Sequence, residues 1–294
     1  MNPPAARLID VLQRGRERVI GCWDLGGVLV DPGPESRIET LLEGVGEEPS
    51  ALLLTHIHLD HAGATGALVE RFPALEVWVH AKGAPHLADP TKLLQSAQRI
   101  YGDEMESLWG RVLPVPEQNL RVLEGGETIT VDGRRLDVEY TPGHASHHVV
   151  YFDHADRTAY VGDVAGVRIP PSDFVRPPTP PPDIDVEAWE RSIDVVADRR
   201  PARLALTHFG AVEEPGPHLE QTKRRLRDQA ELARRMLAEH GDTEAASREF
   251  VSEMDRLTRE SSDSQTVAVF EVGAPIEQAW LGLRRYWQKR AERD

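Results

Sequence analysis

The chain has 294 residues, 40% of them apolar, and no apolar run nears the roughly 20 residues of a membrane-crossing helix. It therefore reads as globular, large enough for one big domain or two modest ones, and no membrane partner is expected. A net charge of −15 repels polyanions and argues against nucleic acid.

The start Met1-Asn2-Pro3-Pro4 lacks the apolar core of a secretion signal. The single cysteine, Cys22, precludes an internal disulfide; together these fit a cytoplasmic protein. Cys22 lies in the apolar stretch 19–23 and reads as a small buried residue, not a nucleophile. Residues 28–30 predict a strand that runs into a turn at Asp31-Pro32-Gly33, and 37–42 a short helix. A buried strand follows at 51–54, a helix at 64–72 and a strand at 77–80. That βαβ rhythm predicts a layered α/β domain. Residues 82–115 have an irregular helical pattern closed by Pro114 and read as a helical insertion or lid. Strands return at 128–131, 136–140, 149–152 and 158–161, the first pair joined by a turn at Asp132-Gly133. The run from Pro177 to Pro182 is stiff and extended, either a pocket wall or a plain crossover. A helix at 186–197 and a strand at 204–206 complete the alternation. Beyond Pro217 three amphipathic helices are expected, with apolar marks at Leu219–Leu237, Phe250–Leu257 and Trp280–Trp287.

Chemistry concentrates in Thr55-His56-Ile57-His58-Leu59-Asp60-His61, immediately after the strand 51–54. Three imidazoles and a carboxylate at that density suit zinc and related ions, and a loop lets them converge where a strand would splay them. His144, Asp163 and His208 each follow a predicted strand in the same manner. With His56-x-His58-x-Asp60-His61 they form an ordered set that closely resembles the metallo-β-lactamase superfamily over roughly the first 210 residues. The resemblance implies an αββα sandwich, to which the residue pattern adds a helical insertion and a helical C-terminal extension, divided at 1–214 and 215–294. It implies that His56, His58 and His144 hold one metal ion, that Asp60, His61 and His208 hold a second, and that Asp163 bridges them.

An anionic bridge lowers the repulsion between two dications, and a water they share is acidified to hydroxide near neutral pH. Asp60 is expected to contact that nucleophile and accept its proton. Zinc fits the donors, as do iron, manganese and cobalt. The ligand set leaves the substrate open, but the insertion, the proline run and the helical tail are similar to a branch of prokaryotic lactonase- and esterase-like hydrolases, which implies hydrolysis of a carboxylic ester, with a lactone favoured. Alternatives are a hydroxyacylglutathione-type thioesterase, with Arg224, Arg225 and Arg227 contacting glutathione, a phosphodiesterase, or a non-hydrolytic metal-binding or redox protein. A homodimer through the amphipathic tail stays open.

Other residues receive structural readings. Asp31 is expected to support the metal loop from beneath, and Lys82 and His86 to line the pocket mouth. Of His147 and His148, one should face the core and one solvent. His80, His86, His154, His218 and His240 read as surface or turn residues, and Phe174 and Trp189 as core.

Overall fold

The computed structural model describes residues 4–292, so the reading of Met1 to Pro3 falls outside the described residues. The first half supplies six strands, β1 (Arg7–Asp10), β2 (Gly21–Asp24), β3 (Val28–Val30), β4 (Ala51–Leu53), β5 (Glu76–His80) and β6 (Leu120–Leu123). They form one sheet in chain order, antiparallel from β1 to β3 and parallel from β3 to β6. Helices α1 (Ile38–Val45), α2 (Leu59–Ala62), α3 (Thr65–Arg71), α4 (Ala84–Ala88), α5 (Thr91–Tyr101) and α6 (Met105–Trp109) occupy the connections. The last three are the expected insertion. α2 corrects one detail: Asp60 and His61 sit on a helical turn, not in an irregular loop.

The second half begins with β7 (Thr128–Val131), β8 (Arg134–Tyr140), β9 (Val149–Asp153) and β10 (Thr158–Tyr160). Both residues of the β7–β8 turn, Asp132 and Gly133, have positive φ, the geometry of a two-residue hairpin that follows strand twist. A small ribbon, β11 (Val167–Arg168) and β12 (Val175–Arg176), leads into the proline run. α7 (Val186–Asp198), β13 (Arg203–Leu206) and β14 (Gly210–Val212) follow. The second sheet is ordered β14-β13-β10-β9-β8-β7, with only β10–β13 parallel. Four helices end the chain: α8 (Pro215–His240), α9 (Glu244–Ser261), α10 (Ser264–Gly273) and α11 (Ile276–Ala291).

The two-residue period of a strand sorts the side chains into layers. Val28, Val30, Leu53, Val138, Tyr151 and Tyr160 meet between the sheets. Leu29 and Leu52 face out beneath Leu41 of α1 and Leu68 of α3. On the far side Val150, Ala159, Leu204 and Leu206 pack under Trp189 of α7, Leu226 of α8, Phe250 of α9 and Trp280 of α11. The result is the expected αββα sandwich, each buried Leu or Val contributing about 1.5–3 kcal/mol over exposure. Cys22 is buried among these side chains. Among the described residues no helix is long and apolar enough to cross a membrane.

β1, β2, β6, β11, β12 and β14 were not foreseen, because segments of two to four residues carry too little alternation. The C-terminal region holds four helices where three were expected. α10 is capped by Asp263, whose carboxylate accepts the Thr266 amide at 2.7 Å. Its Val267, Val269 and Phe270 are all buried, so it lacks the one-sided pattern that marks a surface helix.

Candidate metal centre

Four segments, each following a strand, deliver the site. β4 runs into Thr55 to His58 and then α2; His144 follows β8, Asp163 follows β10, and His208 follows β13. All seven expected ligands come together. His58 Nδ1 lies 3.0 Å from His56 Nε2 and 3.0 Å from His144 Nε2. Asp163 Oδ2 lies 3.3 Å from His144 Nε2, while its Oδ1 lies 3.3 Å from His61 Nε2. Asp60 Oδ2 is 3.3 Å from His208 Nε2 and 3.7 Å from His61 Nε2. The donors therefore form two triads, His56–His58–His144 and Asp60–His61–His208, with one Asp163 oxygen turned to each.

The far nitrogens explain why the near ones are free. His56 Nδ1 is held by Thr55 Oγ1 at 3.1 Å, His61 Nδ1 by Asp31 Oδ2 at 2.8 Å, and His208 Nδ1 by the Val19 carbonyl at 2.5 Å. His144 Nδ1 is held by the Pro178 carbonyl at 2.9 Å. Donation from Nδ1 fixes the tautomer that turns the Nε2 lone pair inward. Asp31 is the hub, wholly buried at φ +53°, a conformation Asp tolerates better than most residues. Its Oδ1 accepts the Thr55 amide, and its Oδ2 accepts the Thr55 and Thr207 hydroxyls as well as His61. Thr55, Thr207 and Pro178 were missed. A signal existed for the threonines, since Thr-His occurs after a strand at both 55–56 and 207–208.

Glycine is required beside two ligands. A Cβ on Gly143, at φ +136°, would come within 2.3 Å of the Trp189 backbone; one on Gly162 would come within 2.4 Å of Thr55 Oγ1.

The electrostatics divide the triads. Burial drives His56 and His58 toward neutrality, His58 to a pKa of about 4, and neighbouring imidazoles reinforce it. Burial also lowers His144, against the pull of Asp163. For His61 and His208 burial is outweighed by carboxylates, Asp163 foremost, and both pKa values rise. Burial works against ionisation of Asp60 and Asp163 too, yet the surrounding imidazoles, led by His61, keep both anionic. Three buried atoms in this cluster make no hydrogen bond: His61 Nε2, His208 Nε2 and Asp163 Oδ1. An unsatisfied buried polar atom costs about 1–3 kcal/mol. All three converge on the second triad, where one divalent cation satisfies them together. The residues present thus fit a pair of metal ions.

The model of the metallo-beta-lactamase superfamily matches residues 24–208. The chain belongs to that superfamily. A metallo-beta-lactamase fold-containing protein of Sulfurisphaera tokodaii is 28% identical over 194 residues, covering 65% of this chain and 71% of the relative. The hydroxyacylglutathione hydrolase GloC of Haemophilus influenzae is 29% identical over 48% of this chain and 63% of its own length. The hydroxyacylglutathione hydrolase of Aeromonas salmonicida is 30% identical, with 43% and 38% covered. The chain therefore spans less than two thirds of either hydroxyacylglutathione hydrolase. In structure, an archaeal superfamily protein from Sulfolobus tokodaii overlays with a TM-score of 0.69 at 22% identity, covering 96% of this chain and 99% of that one. A metallo-beta-lactamase family protein from Thermus thermophilus gives 0.69 at 21%, with 98% and 94% covered. Superfamily members are metal-dependent hydrolases, typically with two divalent ions, and the two triads suit that chemistry.

On this superfamily frame the centre forms the floor of a cavity of about 610 Å³. One wall is the insertion, with Leu93, Ala97, Ile100, Tyr101 and Leu108; the opposite wall is the proline run and the corner between α10 and α11. Tyr101 Oη reaches Gln278 Oε1 across the cavity at 3.5 Å. Lys82 and His86 are among the residues that line the cavity. The proline run is a wall and, through Pro178, a support for His144.

Several readings need correction. His147 and His148 are both buried, because the chain between β8 and β9 is a tight loop in which alternation does not apply. His148 Nε2 accepts the Asp163 amide at 3.2 Å, and His147 Nδ1 accepts the Ile57 amide at 3.4 Å. His80 and His218 are buried as well, the first stacked on Tyr140, the second donating to the Ala165 carbonyl at 2.8 Å. His154 and His240 pair with Asp137 and Glu249 toward the surface. Trp189 and Phe174 are core residues. Arg224, Arg225 and Arg227 do not line the cavity; Arg227 pairs with Glu190 and Arg225 stacks on Phe174.

Proposed function

We propose that this chain is a dinuclear metal-dependent hydrolase of carboxylic esters, with lactones the favoured substrates. The observation that carries the reading is the division of Asp163, one oxygen toward each triad, at the floor of a cavity with an apolar wall. When bound there, two divalent ions, zinc by donor chemistry with iron, manganese or cobalt also suited, would supply an acidified water and polarise the ester carbonyl. The seven ligand side chains hold the ions. Asp60, kept anionic by His61 and His208, accepts the proton of the attacking water. Ile100, Leu108 and Ala97 exclude bulk water and seat an acyl chain.

A thioesterase is the second reading, favoured by the hydroxyacylglutathione hydrolase relatives. Against it stands the position of Arg224, Arg225 and Arg227 away from the cavity. A screen of the metal-loaded protein on acyl-homoserine lactones, simple lactones, S-lactoylglutathione and bis(p-nitrophenyl) phosphate tests the choice. Chelator-sensitive lactone turnover is expected to dominate. Dominant thioester or phosphodiester turnover would replace this reading with the corresponding alternative. Redox-active iron without any turnover would end the hydrolase reading.

A further inference from the structure

A polar contact joins the opposed walls of the cavity above the metal floor. Tyr101, the last residue of α5, donates from Oη to Gln278 Oε1 on α11 at 3.5 Å. Both side chains line the cavity together with Asp60 and Asp163. An O–H···O bond is normally about 2.7–2.8 Å long, so at this separation the phenol and the amide satisfy each other only weakly.

Neither wall is free to close the gap. The Tyr101 ring meets Trp109 edge-on at 5.0 Å and packs on the small apolar cluster that includes Leu59, the residue between His58 and Asp60. Across the cavity, Ala279 beside Gln278 is buried, and its carbonyl accepts Thr179 Oγ1 at 3.4 Å. Burial raises the pKa of the Tyr101 phenol, and the charge of Asp60 adds to the rise. The phenol therefore keeps its proton and stands within the electrostatic reach of the metal floor.

A donor and an acceptor held slightly too far apart define a place for one more polar atom. A hydroxyl oxygen about 2.8 Å from each of two atoms that lie 3.5 Å apart accepts from Tyr101 and donates to Gln278, which satisfies both. An ether or carbonyl oxygen accepts from Tyr101 and offers Gln278 Oε1 nothing. A methyl group in that place separates the pair and leaves both without a partner. We infer that Tyr101 and Gln278 are specificity-determining residues that select substrates carrying a hydroxyl group beside the scissile ester bond. This selection rests on the proposed ester-hydrolase reading, and it names a substrate feature that the seven ligands do not.

Steady-state kinetics of the metal-loaded protein on 2-hydroxy-γ-butyrolactone and its near-isostere 2-methyl-γ-butyrolactone test the selection, with the 3-hydroxy and 3-methyl pair run alongside. In at least one pair the hydroxyl member should be favoured about tenfold in kcat/KM, chiefly through KM. Tyr101→Phe and Gln278→Leu should each bring that ratio to about one. A contact that merely ties α5 to α11 would change both members of a pair alike and leave the ratio standing. No hydroxyl preference in either pair, or a preference that survives both variants, overturns the selection. Binding of 2-hydroxy- and 2-methyl-γ-butyrolactam, and of the corresponding 3-substituted pair, followed by ligand-observed nuclear magnetic resonance, separates the two readings. If no lactone is turned over, a hydroxyl preference in lactam binding that both variants abolish retains the Tyr101–Gln278 site, and only the hydrolase reading falls.

Discussion

Asp31 touches no expected metal position, yet it fixes three of the ligands. Its carboxylate holds His61 directly, His56 through Thr55, and the start of the His208 segment through Thr207. Asp31→Asn keeps the shape but turns an amide toward donors that need an acceptor. Metal affinity should fall about 10–100-fold, read by competition with a chromophoric chelator, while the far-ultraviolet circular dichroism stays unchanged. An unaltered affinity would make the network passive. Asp60→Asn should cut kcat about 10²–10⁴-fold, because it removes the proton acceptor, with elemental analysis run alongside. Near-native turnover with both ions bound would remove Asp60 from the mechanism. Asp163→Ala should lower occupancy of both ions together; loss of one alone would sink the bridging role. At this scale the sequence was most legible. Most of the candidate ligands follow strand ends, where residue type together with the superfamily resemblance marked them. Thr55, Thr207 and Pro178 escaped because a hydroxyl or a carbonyl that supports a ligand looks like any other until its partner is seen.

Among the elements, close approach decides what the ligand segments tolerate. Gly143 lets the chain before His144 pass against the backbone of α7. Gly143→Ala adds left-handed strain to a steric clash and should cost about 2–5 kcal/mol in urea unfolding. Gly241→Ala, also at positive φ but with open space around it, should cost only about 1 kcal/mol. Equal losses would assign the effect to φ alone. β8, with its alternation, and β9, an unbroken buried apolar run, could be read in advance; β1 and β6 could not. The proline run was ambiguous for a simple reason: its stiffness is local, whereas its role as a wall depends on what it faces.

For the whole molecule, the C-terminal helices are part of the sandwich's packing. α8, α9 and α11 cover the outer face of the second sheet, and Val269 and Phe270 of α10 enter the core beneath the first. A chain ended after Glu214 would expose both faces and should show no cooperative thermal transition. A sharp transition would establish residues 1–214 as an independent domain. His218, at the start of α8, ties acid stability to this packing. Burial holds its pKa near 4, below the ordinary 6.5, so the fold keeps it neutral while the unfolded chain takes up a proton. Stability should therefore fall as pH drops from about 6.5 to 4, by up to about 3 kcal/mol from this group. His218→Gln should flatten that limb; an unchanged slope would exonerate His218. The fold class was legible through the superfamily resemblance. The docking of the tail was not, because an amphipathic face does not name the surface it covers.

One wall of the first cavity comes from the insertion helices and the other from the proline run and the α10–α11 corner, whereas its floor comes from strand ends and α2. Tyr101 and Gln278, which meet above that floor, lie far apart in sequence, and Gln278 lies beyond the matched span 24–208. On the proposed reading, the residues that face the acyl chain are thus different from those that hold the ions, although the insertion lies between the ligand segments. Randomising Ile100, Leu108 and Gln278 should yield variants with new acyl-chain preferences and an unaltered two-ion stoichiometry, which makes the scaffold suited to directed evolution.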